Sequence, residues 1–207
     1  MTEIITKYFP NITAEQKDQF AALQKLYEDW NSKINVISRK DIKNLYEHHV
    51  LHSLAIAKAF RFKPKTTILD FGTGGGFPGV PLAIMLPDCC FKLIDGTGKK
   101  VRVAQEIFKA IGLRNVIAEH QRGENETGKY DFIVSRAVMP LPDLMKIVKK
   151  NVAKKQQNAM PNGLIVLKGG DLSQELKPYR RIAEVYPISE WFDEEWFKEK
   201  NVVYVPM

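Results

Sequence analysis

The apolar positions along the chain change their period once, near residue 66. Before that point they recur at helical spacing. In TAEQKDQFAALQKLYEDWN (13–31), Phe20, Leu23, Leu26, Tyr27 and Trp30 share one face. Thr13, with Gln16 three positions on, is a capping-box pattern that places the start of this helix. DIKNLYEHHVLHSLAIAKAF (41–60) predicts a second helix, capped by Asp41 and carrying Leu45, His48, His49, His52, Leu54 and Ile56. KINVISRK joins the two, short and partly apolar. Pro64 closes the helical part, because it disfavours helix at Lys63.

Beyond residue 66, short apolar runs alternate with helical stretches. TILDF is a strand, followed by glycines and a helix from Val80 to Leu86. CFKLID (90–95) is a second strand, and Lys99 to Ile111 a helix stopped by Gly112. NVIAEH (115–120), YDFIVSRA (130–137) and GLIVLKG (163–169) are further strands, with a basic helix predicted from Pro142 to Ala153. The last stretch holds two strands without a clear helix between them, which fits an antiparallel hairpin at a sheet edge. Such alternation means βαβ units, an α/β fold with a mostly parallel sheet. The change of period divides the chain into a helical cap (1–62) and an α/β domain (63–207).

Composition adds bounds. Of 207 residues, 44% are hydrophobic and 27% charged, the balance of an ordinary globular protein. No apolar run approaches the ~20 residues of a membrane span. MTEIITKYFPN has neither the basic nor the apolar region of a secretory leader, so a cytoplasmic protein is expected. Cys89 and Cys90 are adjacent; strand neighbours point to opposite faces, so no mutual disulfide is expected, only two buried thiols in a reducing compartment. They also lack metal-ligand spacing. The net charge of +7 favours a polyanionic partner, nucleic acid first.

The candidate chemistry sits in ILDFGTGGGFPGVP (68–81). Gly74, Gly76 and Gly79 match the dinucleotide fingerprint, with Asp95 near the place of its ribose-binding acid. Two details oppose that reading. Pro78 offers no amide where a phosphate would sit, and the Asp70 charge would repel a pyrophosphate. A triphosphate loop needs G-K-[ST] at its end and is rejected. S-adenosylmethionine carries no phosphate, and Asp70 complements its cationic groups; the alternative role for Asp70 is to cap the next helix. Asp95 supplies an acceptor for the ribose, and the loop Gln121 to Glu124 a slot for adenine. The pattern D-x-G-x-G-x-G with an acid ending the next strand resembles class I methyltransferases, with a Rossmann-like, seven-stranded sheet.

Several blocks in order resemble one family, the glucose-inhibited division protein B family of small-subunit ribosomal RNA guanine-N7 methyltransferases. They are NVISRKDIKNLYEHHVLHSL, ILDFGTGGGFPGVPLAI, LIDGTGKKVRVAQEI, SRAVMPLPDL and LKGG, and the G-T-G-x-G-F-P-G form is the most specific. The resemblance implies S-adenosylmethionine as methyl donor and N7 of a guanine in 16S RNA near the decoding site as target. It implies donor contacts from Gly72, Gly74, Gly76, Phe77, Asp95, Gly123 and Glu124, and places Arg136 at the donor and substrate site. His49 matches a family histidine. Two positions depart from the pattern: His52 stands where the family usually has aspartate, and Gly96 where many relatives have serine. The alternatives are the same fold acting on another RNA, a protein or a small molecule, and an RNA-binding protein that keeps the donor pocket without turnover.

Missing motifs narrow the chemistry. The loop after the fourth strand, S-R-A-V, is not the D/N-P-P-Y type used on exocyclic amines, and it holds no cysteine for pyrimidine C5. Guanine N7 has a lone pair and no proton, so a site with an arginine and no base suits it. His48, His49 and His52 look like a cluster, but α-helical spacing puts only His48 and His52 on one face, and no metal is expected. RNA contacts are expected from Arg39, Lys40, Lys99, Lys100, Arg102, Arg122 and the lysines of Lys146 to Lys155, on a monomer.

Overall fold

The computed structural model describes residues 2–136 and 138–207. Strands β1 (Thr67–Phe71), β2 (Cys90–Asp95), β3 (Val116–His120), β4 (Phe132–Arg136), β5 (Gly163–Gly169), β6 (Glu184–Pro187) and β7 (Lys200–Pro206) form one sheet in the order β3-β2-β1-β4-β5-β7-β6. Strands β1 to β5 run parallel, with Ile68 beside both Phe91 and Phe132. The order reverses between β1 and β4, so the carboxyl ends of β1, β2 and β4 flank one crevice.

Helices α1 (Glu3–Tyr8), α2 (Ala14–Asn31) and α3 (His52–Ala59) precede the sheet. Helices α4 (Gly79–Met85), α5 (Gly98–Ala110), α6 (Leu141–Val148) and α7 (Ser173–Leu176) alternate with the strands. Strand side chains alternate in direction, and two cores follow from that. Ile68, Phe91, Phe132 and Val134 pack with Phe20, Leu23, Tyr27 and Leu54 of the N-terminal helices and Val103 of α5. Leu69, Phe71, Ile94 and Ile133 pack on the other face against Leu144 and Val148 of α6. The capping box of α2 is present, Thr13 Oγ1 accepting from the Gln16 amide.

Some expectations change. Helix α1 was not legible; it forms because Ile5 is fully buried and Tyr8 packs on Phe192 at 4.7 Å. The helix predicted over 41–60 is three pieces: a 3-10 turn Ile42–Asn44, a π-helical turn Leu45–Leu51, then α3. Asp41 makes no side-chain cap there. The predicted basic helix ends at Val148, with one 3-10 turn Lys149–Asn151 after it, so Lys154 and Lys155 lie off it. The C-terminal hairpin forms, but its second strand lies inside. Val202 to Val205 of β7 are all buried, whereas Glu184 and Val185 of β6 are exposed, and the wetter strand takes the edge. Cys89 is buried but Cys90 is exposed, and both thiols are free. Ala137, the last residue of the predicted fourth strand, lies outside the described residues.

Candidate active site

At the end of β1 the chain turns through Gly72, Gly74 and Gly76, with φ of 71°, 57° and 112°, a region that L side chains rarely adopt. Asp70 lies beneath this loop with no exposed surface. Its Oδ2 accepts from the Thr73 hydroxyl at 2.6 Å and from the Gly79 amide at 2.8 Å, while Oδ1 has no hydrogen-bond partner. Gly79 opens α4, so the leading amide of that helix is engaged by Asp70. Of the two roles open to Asp70, the structure places it in the structural one. Burial pushes its carboxyl up to about 7, against the pull of the two hydrogen bonds.

Two adjoining cavities, about 330 and 360 Å³, occupy the crevice and share Gly72, Asp95 and Val138. The first is lined by Phe71, Gly96, Arg122, Gly123 and Glu124, among others. The second is lined by Val36, Gly74, Phe77, Lys100 and Arg136, among others. Asp95 stands between them. Its Oδ2 accepts from the Gly74 amide at 2.9 Å and its Oδ1 from the Thr97 amide at 2.8 Å, so one carboxylate ties the glycine loop to the loop after β2. Gly123 lies so close over Phe71 that an added Cβ would sit 1.9 Å from the ring. Glu124 is exposed at the rim.

Gly76 differs from the other predicted residues. It faces inward, where a Cβ would meet Val80 at 2.8 Å and the Tyr27 hydroxyl at 3.1 Å. Its contribution is close packing behind the loop.

Arg136 ends β4 and points at the second cavity. Its guanidinium carbon lies 5.0 Å from the centre of the Phe77 ring, which is itself stacked on Tyr27 at 4.8 Å. Nη1 donates to the His48 carbonyl at 3.3 Å, and Nη2 lies 3.0 Å from His49 Nδ1. Burial lowers the guanidinium to about 10, with Asp70 pulling the other way, so it stays cationic at neutral pH. His48 and His49 are held by one carboxylate: Asp41 Oδ1 lies 2.5 Å from His48 Nδ1 and Oδ2 lies 2.6 Å from His49 Nε2. His52 is buried, edge-on to Trp196 at 5.0 Å.

Sequence reasoning missed Tyr27, Val36, Val138 and Asp41 as parts of this site. Tyr27 holds the loop from behind, its hydroxyl donating to the Gly75 carbonyl at 2.9 Å. Its helical spacing marked it as core, which it also is. Val36 was legible only as one apolar residue in a short linker, and Asp41 as a cap. Lys100, expected among the RNA contacts, lines the cavity.

The family model described as rRNA small subunit methyltransferase G matches residues 16–189. The chain belongs to the rRNA small subunit methyltransferase G family. Members of this family from Bacteroides thetaiotaomicron and Porphyromonas gingivalis are 63% and 56% identical to it. The first match covers 98% of both chains, and the second covers 100% of this chain and 94% of the relative. Solved structures share the fold at low identity. A SAM-dependent methyltransferase from Aquifex aeolicus has a TM-score of 0.55 at 20% identity, over 82% of this chain and 98% of that one. The M. jannaschii TYW2 protein in complex with AdoMet has a TM-score of 0.56 at 16% identity, over 84% and 78%. The class I methyltransferase fold expected for the family is therefore the one observed.

Proposed function

We propose that this chain transfers the methyl group of S-adenosylmethionine to N7 of a guanine in small-subunit ribosomal RNA, near the decoding site. The observation that carries the reading is the two-chamber crevice divided by Asp95, in a member of this family. Each chamber is of a size that holds part of a small ligand. Gly74 has nothing within 4 Å of where a Cβ would be, so the loop presents bare backbone to the crevice. These features fit the donor. Adenine belongs in the chamber of Gly123 and Glu124, the ribose at Asp95, and the methionyl end beside Gly72, Gly74 and Phe77. Gly76 supports that loop from behind.

The bound donor supplies an electrophilic methyl group. The chain supplies alignment. N7 needs no deprotonation, so no general base is required. N7 and O6 are acceptors on the same guanine edge. Arg136 carries N–H donors beyond the two engaged by His48 and His49, and one of them directed at O6 leaves N7 free. Phe77, wedged between Tyr27 and the guanidinium, keeps that group in place. The N7 edge is hidden in A-form RNA, so the target is unpaired or looped. Lys100 in the chamber and the exposed Arg39 and Lys40 supply the contacts to the RNA backbone. Residues 1–62 act as a cap over the donor domain (63–207). The protein works as a cytoplasmic monomer without a metal.

Two substitutions probe the donor site. Asp95→Ala removes the ribose acceptor and the tie between two loops; donor affinity is expected to fall about tenfold to a hundredfold, as for a lost charge-assisted hydrogen bond. Unchanged affinity by calorimetry would remove Asp95 from the site. Gly123→Ala drives a methyl into the Phe71 ring, so the turn must lift; donor affinity is expected to fall at least about tenfold while the melting temperature drops only a few degrees. Wild-type affinity would show that this chamber does not hold adenine.

The deciding experiment gives tritiated S-adenosylmethionine and the purified protein small subunits from a strain lacking this enzyme, then maps the label. Label on N7 of one guanine of the 16S RNA is the expected result. Donor binding without transfer would leave the pocket and reject the substrate.

A further inference from the structure

We infer that Asp41 and His49 form a positioning relay for Arg136: Asp41 fixes the His49 ring in one tautomer, and that ring aims the guanidinium into the methyl-transfer chamber. The inference rests on the proposed function for its consequence, though not for its geometry.

The tautomer follows from the neighbours. A guanidinium has donors and no acceptor, so at 3.0 Å from Arg136 Nη2 the His49 Nδ1 must accept. A carboxylate has acceptors only, so at 2.6 Å from Asp41 Oδ2 the Nε2 must donate. His49 is therefore neutral, with its proton on Nε2. Burial holds its ring down to about 4, and the Arg136 charge acts in the same direction. Burial alone would raise the Asp41 carboxyl, but hydrogen bonds from His48 and His49 hold it below the ordinary value. The chain Asp41–His49–Arg136 runs from an anion through a polar ring to a cation, each link a hydrogen bond.

The backbone is shaped for it. Within the π-helical turn Leu45–Leu51 the adjacent His48 and His49 both reach Asp41, and such turns are frequent at functional sites. The same turn presents the His48 carbonyl to Nη1, and His49 packs on Phe77 at 5.3 Å. Arg136 forms no salt bridge with a carboxylate among the described residues, so its direction is set by this ring, this carbonyl and Phe77. The facing groups are Asp41, Arg136 and His48, with Glu47 reaching His48 Nε2 at 3.7 Å. The cap thus completes the site of the other part of the chain, through a contact spanning 87 positions.

The first test reads the tautomer. In ring ¹⁵N spectra of the full chain without RNA, His49 should show a protonated Nε2 and a bare Nδ1 at neutral pH. In Asp41→Ala the Nε2–H signal should shift, because its hydrogen bond to the carboxylate is gone while Arg136 still holds Nδ1 as an acceptor. A protonated Nδ1 in the wild type would overturn the relay. The second test reads turnover on small subunits. His49→Leu and Asp41→Ala should each lower kcat at least about tenfold, with donor affinity within about threefold of wild type. The double variant should lose little more than either single one, because one relay is broken once. In His49→Gln, an amide oxygen can accept from Arg136 while the amide nitrogen donates to Asp41, so kcat should return to within about threefold of wild type. Wild-type kcat in His49→Leu, multiplying losses in the double variant, or a folded His49→Gln as slow as His49→Leu would each overturn the relay. If His49→Leu fails to fold, the wild-type tautomer and Asp41→Ala decide. No turnover by the wild type itself would refute the proposed function and leave the relay to the spectra.

Discussion

Arg136→Ala is expected to lower turnover on small subunits by about a hundredfold to a thousandfold, the range found when a preorganised donor is removed from a reacting centre. Donor affinity should change no more than severalfold, because Asp95 and the two glycine-lined walls remain. The fold should survive. Arg136 is only half-buried and ends its strand, and its loss leaves one carbonyl and one ring nitrogen without a donor. That is worth about 1–2 kcal/mol, a shift of several degrees in melting temperature for a chain of this size. Arg136→Lys should remain slow, since an ammonium is a point charge that cannot meet the His48 carbonyl, His49 Nδ1 and the guanine edge together. Single-turnover rates on loaded enzyme separate this from a binding defect. Wild-type rates in Arg136→Ala would assign the arginine to structure alone.

Asp70→Asn should change the pH dependence of stability. The carboxyl has an ordinary value of 3.8 and is raised to about 7 in the folded protein by burial. Between those values the folded state keeps a proton that the unfolded chain has released, so stability falls as pH rises through this window. Three pH units correspond to a loss on the order of 4 kcal/mol. Asparagine cannot ionise, and its carbonyl still accepts from Thr73 and Gly79. The variant should therefore melt several degrees above wild type at pH 8, with the gap closing towards pH 4. A variant less stable than wild type at pH 8 would mean that the two hydrogen bonds to the ionised carboxylate outweigh its burial. Either way Asp70 acts through the loop it anchors, since Gly79 and Thr73 are its partners.

Much of this molecule was legible in the order of its residues because local structure answers to local pattern. Thr13 and Gln16 can cap one another within a single turn, and they do. Short apolar runs became β1 to β5, and Gly112 ended α5 with φ of 71°. The glycines after β1 and the acid at Asp95 lie at the carboxyl ends of adjacent parallel strands, and strand pairing alone brings them together. Other features depend on partners far along the chain. The edge position of β6 was decided by which strand of a hairpin could be buried on both faces. The π-helical turn at Leu45–Leu51 runs against the periodicity of its own segment. It forms where the His48 and His49 rings share Asp41 and their neighbouring atoms meet Arg136. No pattern within residues 41–60 encodes an arginine at 136. Periodicity and capping are written within a few residues, and they determined the fold class and the glycine-lined half of the crevice. The direction of Arg136 was decided only when tertiary packing set the cap against the end of β4, where its guanidinium met the His48 carbonyl and the His49 ring.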